Sequence, residues 1–509
     1  MFSRDLMQSL FTDPLQWHFF VLVSAWLLYQ LAQAAWNLSP FHPLSSIPGP
    51  RLAGATYLPE FYYDAVKFGT YTKRIQRLHE AYGPIVRISP NEVHCNDPAF
   101  SDEIYASAGR RRDKPLHQIR GSGAVSGAIF STAGHELHRV RRNAFAKFFS
   151  RAQVAKLEGK VQRLVQTLCD KMMSAGGQPF DVTEAYSCLS TDVVSDYAFG
   201  ESFGFLDQEA WKPNFRGPAC SINRPVFLFR FFPASRYLST LALGSMSRKG
   251  FKEPRPISMR VSGEKTRPCS AHFWSQISPE QEKSIHRLTD EAAALLTAGS
   301  ETVSWALTVI TYHLLDKPDI LRRLCRELER ALDPSGGLPS WSSLEKLPYL
   351  GAAISEGLRL SYGLSSRTAR IATHEDLIYR GVWRGEPCQY IIPRGYAVGM
   401  SAALLHHDED LFPDSHAFRP ERWLLSGDGS IRNKELERHL LTFSKGSRSC
   451  VGINLAYCEL HVGLAALCLR VLPNMRLYKT TEEDIKYDHD MFNPMPKRSS
   501  KGVRVAMRS

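Results

Sequence analysis

The chain has 509 residues, 43% hydrophobic and 22% charged, which is enough apolar material for a large buried core. Its net charge of +12 admits an anionic membrane or an acidic protein partner. The basic residues are scattered, however, and the short clusters at 110–112 and 139–142 carry no interleaved aromatics, so nucleic acid is not an expected partner. Ten dispersed cysteines with no CxxC pair exclude a disulfide scaffold and read mostly as reduced core thiols.

Residues 1–14 form a tail with Asp5, Asp13 and a single Arg4. Residues 15–38 are apolar over the ~20 positions that a spanning helix needs. Three readings fit them: a transmembrane anchor, a helix lying in the membrane interface, or a signal peptide cleaved near Ala32-Gln33-Ala34. The acidic tail and the basic residues that follow (Arg51, Lys67, Lys73, Arg74) favour an anchor with its C-terminal side in the cytosol. Residues 39–50 include Pro40, Pro43, Pro48 and Pro50 and predict a stiff linker between membrane and globule. Asn37-Leu38-Ser39 matches a glycosylation acceptor, but by chance on this topology.

Residues 51–509 read as mainly α with a small β region. Ser278-Pro279-Glu280 predicts the start of a helix running to Leu315. Helices follow over 319–332, 341–360 and 455–469. Residues 377–398, punctuated by Gly381, Gly385, Pro393 and Gly395, predict short strands and turns, and 502–507 alternates like a strand. Residues 246–274 are rich in Arg, Lys, Pro, Gly and Ser with little periodicity; they read as a loop or as a retained intron.

Four motifs carry the chemistry. Ala298-Gly299-Ser300-Glu301-Thr302 interrupts a helix with glycine, which predicts room for a ligand, and sets an acid beside an alcohol that can pass protons. Glu356 and Arg359 share a helix face, and Arg422 in Phe418-Arg-Pro-Glu-Arg-Trp423 can join them in a buried ion network. Last comes Phe443-Ser-Lys-Gly446-Ser-Arg448-Ser-Cys450-Val-Gly452. Here Gly446 and Gly452 offer turn geometry and clearance, and Phe443 can shield the sulfur from water. A following helix favours the Cys450 thiolate, and Arg448 can pair with an anionic cofactor group.

In this order and spacing the motifs resemble the cytochrome P450 superfamily, over roughly residues 48–507. Tyr82-Gly-Pro-Ile-Val-Arg-Ile88, His406-His407-Asp408, Ser365-Ser366-Arg367 and Arg370 resemble its fungal secondary-metabolism branch. The resemblance implies a single mainly helical heme domain after the anchor, with heme b held by Cys450 as the axial iron ligand and its propionates met by Arg448, His138 and Arg142. Glu301 and Thr302 would deliver protons to activated oxygen. Electrons would come from NADPH through a separate reductase, which agrees with the lack of a dinucleotide fingerprint and would dock on a basic face including Lys445, Arg139 and Arg141. Localisation would be the endoplasmic reticulum membrane, single-pass, with the heme domain facing the cytosol. The substrate pocket would be lined by 121–130, 226–232, 294–298, 362–365 and 491–495. These mostly apolar segments imply a small hydrophobic, largely uncharged substrate of terpenoid or polyketide type. A heme-thiolate isomerase or dehydratase, or a non-catalytic heme protein if 246–274 is defective, are the alternatives on the same fold.

Overall fold

Leu288, Ala292, Leu296, Val303, Leu307, Ile310 and Leu314 recur at steps of three, four and seven residues, and between them lie Trp305, Ala306 and Val309, also buried. A helix apolar nearly all round sinks into the core, and this one, Ile285–Asp316, is the central rod of the molecule. The computed structural model describes residues 14–107, 109–223, 226–233, 282, 284–333, 336–425 and 431–508. Around the rod pack the helices Glu158–Met173, Val182–Phe199, Pro318–Ala331, Pro348–Ser361 and Ile453–Arg470.

The rod starts at Ile285, not at Ser278: Ser284 is its N-cap, accepting from the Arg287 N–H. Ser278-Pro279-Glu280 and the segment 246–274 lie outside the described residues. The helix expected over 341–360 is two, Trp341–Leu344 and Pro348–Ser361. Pro348 forces Leu347 into extended backbone and opens the second helix.

The β content is small. A five-stranded sheet runs in the order Ile85–Ser89, Glu92–Cys95, Ala397–Met400, Thr368–Ala372, Arg112–Asp113, with only the second pair parallel. The expected strands over 377–398 include a hairpin, Leu377–Trp383 with Glu386–Ile392. Its turn residues Arg384 and Gly385 both have positive φ, as a two-residue hairpin turn requires. Arg504–Met507 pairs with Met475–Leu477 and Phe180–Asp181.

The N-terminal helix spans Pro14–Leu38, and Trp17–Leu38 is long and apolar enough to cross a membrane, with none of its most apolar stretch buried in the protein. The proline-rich stretch after it is docked rather than a free spacer. Leu44 and Ile47 enter a core cluster with Ile85 and Val93. Asn37 donates its side-chain amide to the Ala55 carbonyl, and Arg87 donates to the Asn37 carbonyl. Prolines restrict the chain, but buried apolar side chains decide where it lies.

Candidate active site

The site is built on a buried ion cluster. Glu356 and Arg359, one turn apart, are both fully buried and doubly bonded: Arg359 Nε to Glu356 Oε2 at 2.9 Å and Nη2 to Oε1 at 2.8 Å. Arg422 Nε reaches Oε1 at 3.1 Å, and the Trp423 indole N–H and the Arg419 backbone N–H complete the carboxylate's shell. Arg359 Nη1 donates to the carbonyls of His406 and Ser415. Gly357 sits where a Cβ would collide with Ile310, so its lack of a side chain lets this helix touch the central rod.

His406 carries that rigidity onward, a role that no sequence motif assigns to it. Its Nδ1 lies 2.8 Å from the Arg359 carbonyl, and its Nε2 accepts from the Leu441 N–H at 3.0 Å. The ring is therefore neutral with its proton on Nδ1, and burial holds its pKa down at about 3. Leu441 opens the loop to the cysteine. Gly446 has φ +69°, and a Cβ there would strike the Tyr105 carbonyl, so this glycine is required both by turn and by close approach. Gly452 has ordinary backbone, with a Cβ site 4.0 Å from the Cys450 sulfur.

Cys450 donates its N–H to the Phe443 carbonyl at 2.8 Å, and Phe443 packs at 5.2 Å from the Tyr457 ring. The cysteine is accessible, yet burial pushes its thiol up while the Gly452 N–H and Arg142 pull it down. Both hold together if the sulfur faces an interior space rather than the outer surface. Ala298, exposed within the otherwise largely buried rod, likewise faces open space. The adjacent Gly299 does not make room for a ligand: its Cβ position lies 2.8 Å from Val194, so it serves contact with the Val182–Phe199 helix.

Around this loop stands a group of basic side chains. His138 is held down to about 2, by burial first and then by Arg448, Lys114, Arg142 and Arg370. Burial, Arg370 and Arg448 push Lys114 well below its ordinary value. Arg448 spans the site, donating to the carbonyls of Arg112, Thr132 and Ala133, while Arg142 donates to the Ser449 carbonyl and hydroxyl. Asp113 is the carboxylate that acts on Arg448. Like charges gathered this closely repel, so the group fits an anionic ligand. Lys114, which the sequence does not single out, belongs here; its isolated position in the chain carries no motif.

On the central rod, Glu301 and Thr302 line a recess with Arg216, Trp305, Asn493 and Met495. Arg216 Nη1 lies 3.1 Å from Glu301 Oε2, while the buried Oε1 has no hydrogen-bond partner among the described residues. Burial pushes the Glu301 carboxyl up, Arg216 draws it down and Glu184 raises it. The Thr302 hydroxyl donates to the Ala298 carbonyl at 2.7 Å. The expected apolar lining is thus only partly apolar here. Tyr362 and Ser365 are tied to His407 and Asp490, and Phe227 and Phe229 are buried. Phe130 and Phe492, from two of the expected lining segments, meet edge to face at 5.2 Å.

Of the three basic residues expected on a docking face, Arg139 is exposed beside Glu136, and Lys445 bonds Asp102 and Ser101. Arg141 is turned inward, paired with Glu282 at 2.6 Å, because it sits on the helix face that meets the start of the central rod.

The family model for Cytochrome P450 matches residues 60–250 and 255–485. Cytochrome P450 monooxygenase ppzE of Metarhizium majus is 42% identical over 441 residues, 81% of this chain and 92% of that protein. Conidiogenone synthase PchP450 of Penicillium rubens is 36% identical, covering 96% of this chain and 97% of its own. N-acetyltryptophan 6-hydroxylase ivoC of Emericella nidulans is 34% identical over 100% of this chain and 99% of its own.

Proposed function

The chain belongs to the cytochrome P450 family and is a monooxygenase, and on that premise we propose that it places an oxygen atom from O2 into a largely hydrophobic intermediate of fungal secondary metabolism, of terpenoid or polyketide type. The observation that carries this reading is the Cys450 loop: an accessible thiol beside a cluster of basic side chains. Those residues fit heme b, with Cys450 holding the iron and Arg448, His138, Arg142, Lys114 and Arg370 meeting the propionates. Heme, when bound, supplies the iron at which dioxygen is activated, with thiolate donation favouring O–O cleavage.

The chain's own residues do the rest. Arg142 and the Gly452 N–H stabilise the Cys450 thiolate. Glu301, largely desolvated and beside Thr302, lines the recess, and the acid and the alcohol together can pass a proton into it. Trp305 and Met495 exclude water and orient an apolar body. Electrons come from NADPH through a separate cytochrome P450 reductase, for which exposed Arg139 is a candidate contact. The N-terminal helix serves as a single-pass anchor in the endoplasmic reticulum membrane with the heme domain in the cytosol; its length and exposed apolar surface support this. Relatives named for conidiogenone synthesis and for N-acetyltryptophan 6-hydroxylation support placement in secondary metabolism.

The test is turnover of candidate intermediates by membranes containing the full chain and a reductase under 18O2. One labelled oxygen in the product, dependent on NADPH, is expected. Unlabelled, NADPH-independent conversion would assign the isomerase or dehydratase alternative. Thr302→Ala is expected to keep heme but divert NADPH to peroxide.

A further inference from the structure

Resting on the monooxygenase reading above, we propose that the substrate carries a carboxylate on its apolar body and that Arg216 binds it by exchanging partners, releasing Glu301. Arg216 is the first residue of the Arg216–Asn223 helix. Its backbone N–H donates to Asn214 Oδ1 at 3.0 Å. Asn214 is itself buried and donates to the Glu184 carboxylate and the Trp211 carbonyl. The root of the guanidinium is thus fixed while its head lies in the recess.

The side chains of Arg216 and Glu301 keep only 18% and 7% exposure. A guanidinium and a carboxylate can meet through two parallel hydrogen bonds. Between these two side chains the contact is made to one carboxylate oxygen, and Glu301 Oε1, on a side chain more than nine-tenths buried, has no partner among the described residues. A buried acceptor left in that state is where a proton would sit once the guanidinium leaves the other oxygen. The recess is lined by polar Arg216, Glu301, Thr302 and Asn493 together with apolar Trp305 and Met495, which matches an apolar molecule with one acidic end.

The exchange conserves charge. Before it, Arg216 and Glu301 face each other as guanidinium and carboxylate, with Glu184 acting on Glu301 and Asp181 on Arg216. After it, the guanidinium pairs with the ligand carboxylate, and Glu301, freed from the charge that drew its pKa down, takes one proton from solvent. The ligand brings one negative charge and the proton on Glu301 one positive, so the exchange leaves the net charge unchanged. The protonated Glu301 stands next to Thr302, where a donor is needed. Substrate binding then readies the acid, and molecules without the carboxylate leave Glu301 ionised.

Probes that ligate heme iron through an imidazole nitrogen read this without knowledge of the natural substrate. In full-length holoprotein, 10-(imidazol-1-yl)decanoate and its methyl ester are titrated by their Soret shift in the wild type, Arg216→Gln and Arg216→Lys. The wild type is expected to bind the acid about tenfold more tightly than the ester. Arg216→Gln should bring that ratio to about one, and Arg216→Lys should retain part of it. An acid-to-ester ratio of one in the wild type overturns the proposal, as does a preference that survives in Arg216→Gln. The absence of a Soret band in the wild type overturns the heme reading itself, whereas a Soret band that neither probe shifts overturns this proposal alone.

Discussion

Cys450 and Cys458 stand eight residues apart, and burial raises both thiols. Cys458 is fully buried in the hydrophobic core and carboxylates raise it further, whereas Cys450 is accessible and the Gly452 N–H and Arg142 draw it back down toward a thiolate. The reduced carbon-monoxide complex is therefore expected to show the red-shifted Soret band of thiolate ligation in the wild type and in Cys458→Ala, and to lose it in Cys450→Ala. The reverse pattern would move the ligand to Cys458. A second residue-scale expectation concerns His406, whose two hydrogen bonds require a neutral ring. Its folded pKa of about 3 lies below the unfolded value of about 6.5. The unfolded chain thus takes up the proton first, and stability drains away as pH falls below about 6.5. His406→Phe should be less stable than wild type at pH 7.5 by about 1–3 kcal/mol, since it breaks two buried hydrogen bonds. It should also lose about 1 kcal/mol less than wild type on going from pH 7.5 to 5.5. Denaturant midpoints at the two pH values check this; parallel losses would show that the ring does not titrate on unfolding.

At the scale of elements, the Pro348–Ser361 helix is the keystone. Its Glu356–Arg359 pair gathers Arg422, Trp423, Arg419, His406 and Ser415, which belong to the long irregular stretch running up to the cysteine loop. Removing one member of a fully buried ion cluster costs ~3–5 kcal/mol because its partners stay behind uncompensated. Glu356→Ala is accordingly expected to abolish recovery of heme-loaded protein, not merely to slow turnover; a normal heme-to-protein ratio after purification would contradict it. The i, i+3 spacing made this pair legible in the sequence, and the Arg422 contact could be foreseen from its motif. Its connection to the cysteine through His406 was not legible, because a histidine between two backbone groups leaves no spacing signature. The same holds for Gly299. A glycine in a helix signals close approach to something, and only packing showed the neighbour to be Val194.

Over the whole molecule, the N-terminal helix is joined to the catalytic body by a fixed contact. Asn37 and Arg87 connect the helix end to the Ala55 carbonyl and the first strand, and Leu44 and Ile47 anchor the proline-rich linker. A truncation removing residues 1–34 keeps these contacts and is expected to release much of the protein from membranes with its Soret spectrum intact. A truncation removing residues 1–40 also deprives Arg87 of the Asn37 carbonyl and should lower the unfolding temperature by a few degrees, as the loss of about 1 kcal/mol would. Full membrane retention of the shorter truncation would point to a second membrane-facing surface.

The sequence by itself determined the family, the cysteine loop, the acid–alcohol pair on the central rod and the Glu356–Arg359 pair, because each is a local pattern whose chemistry depends on residue type at short spacing. Helical cores and the hairpin over 377–392 were legible for the same reason, since periodicity and turn residues act within a few positions. Tertiary structure alone decided the rest. It gathered Lys114, His138, Arg142, Arg370 and Arg448, spread over more than 300 residues, into one basic cluster. It turned Arg141 inward to Glu282, and it set Arg216 against Glu301 across the recess. Charge acts through space with no regard for sequence separation, and burial sets its strength, so a charge's partner is a property of the fold.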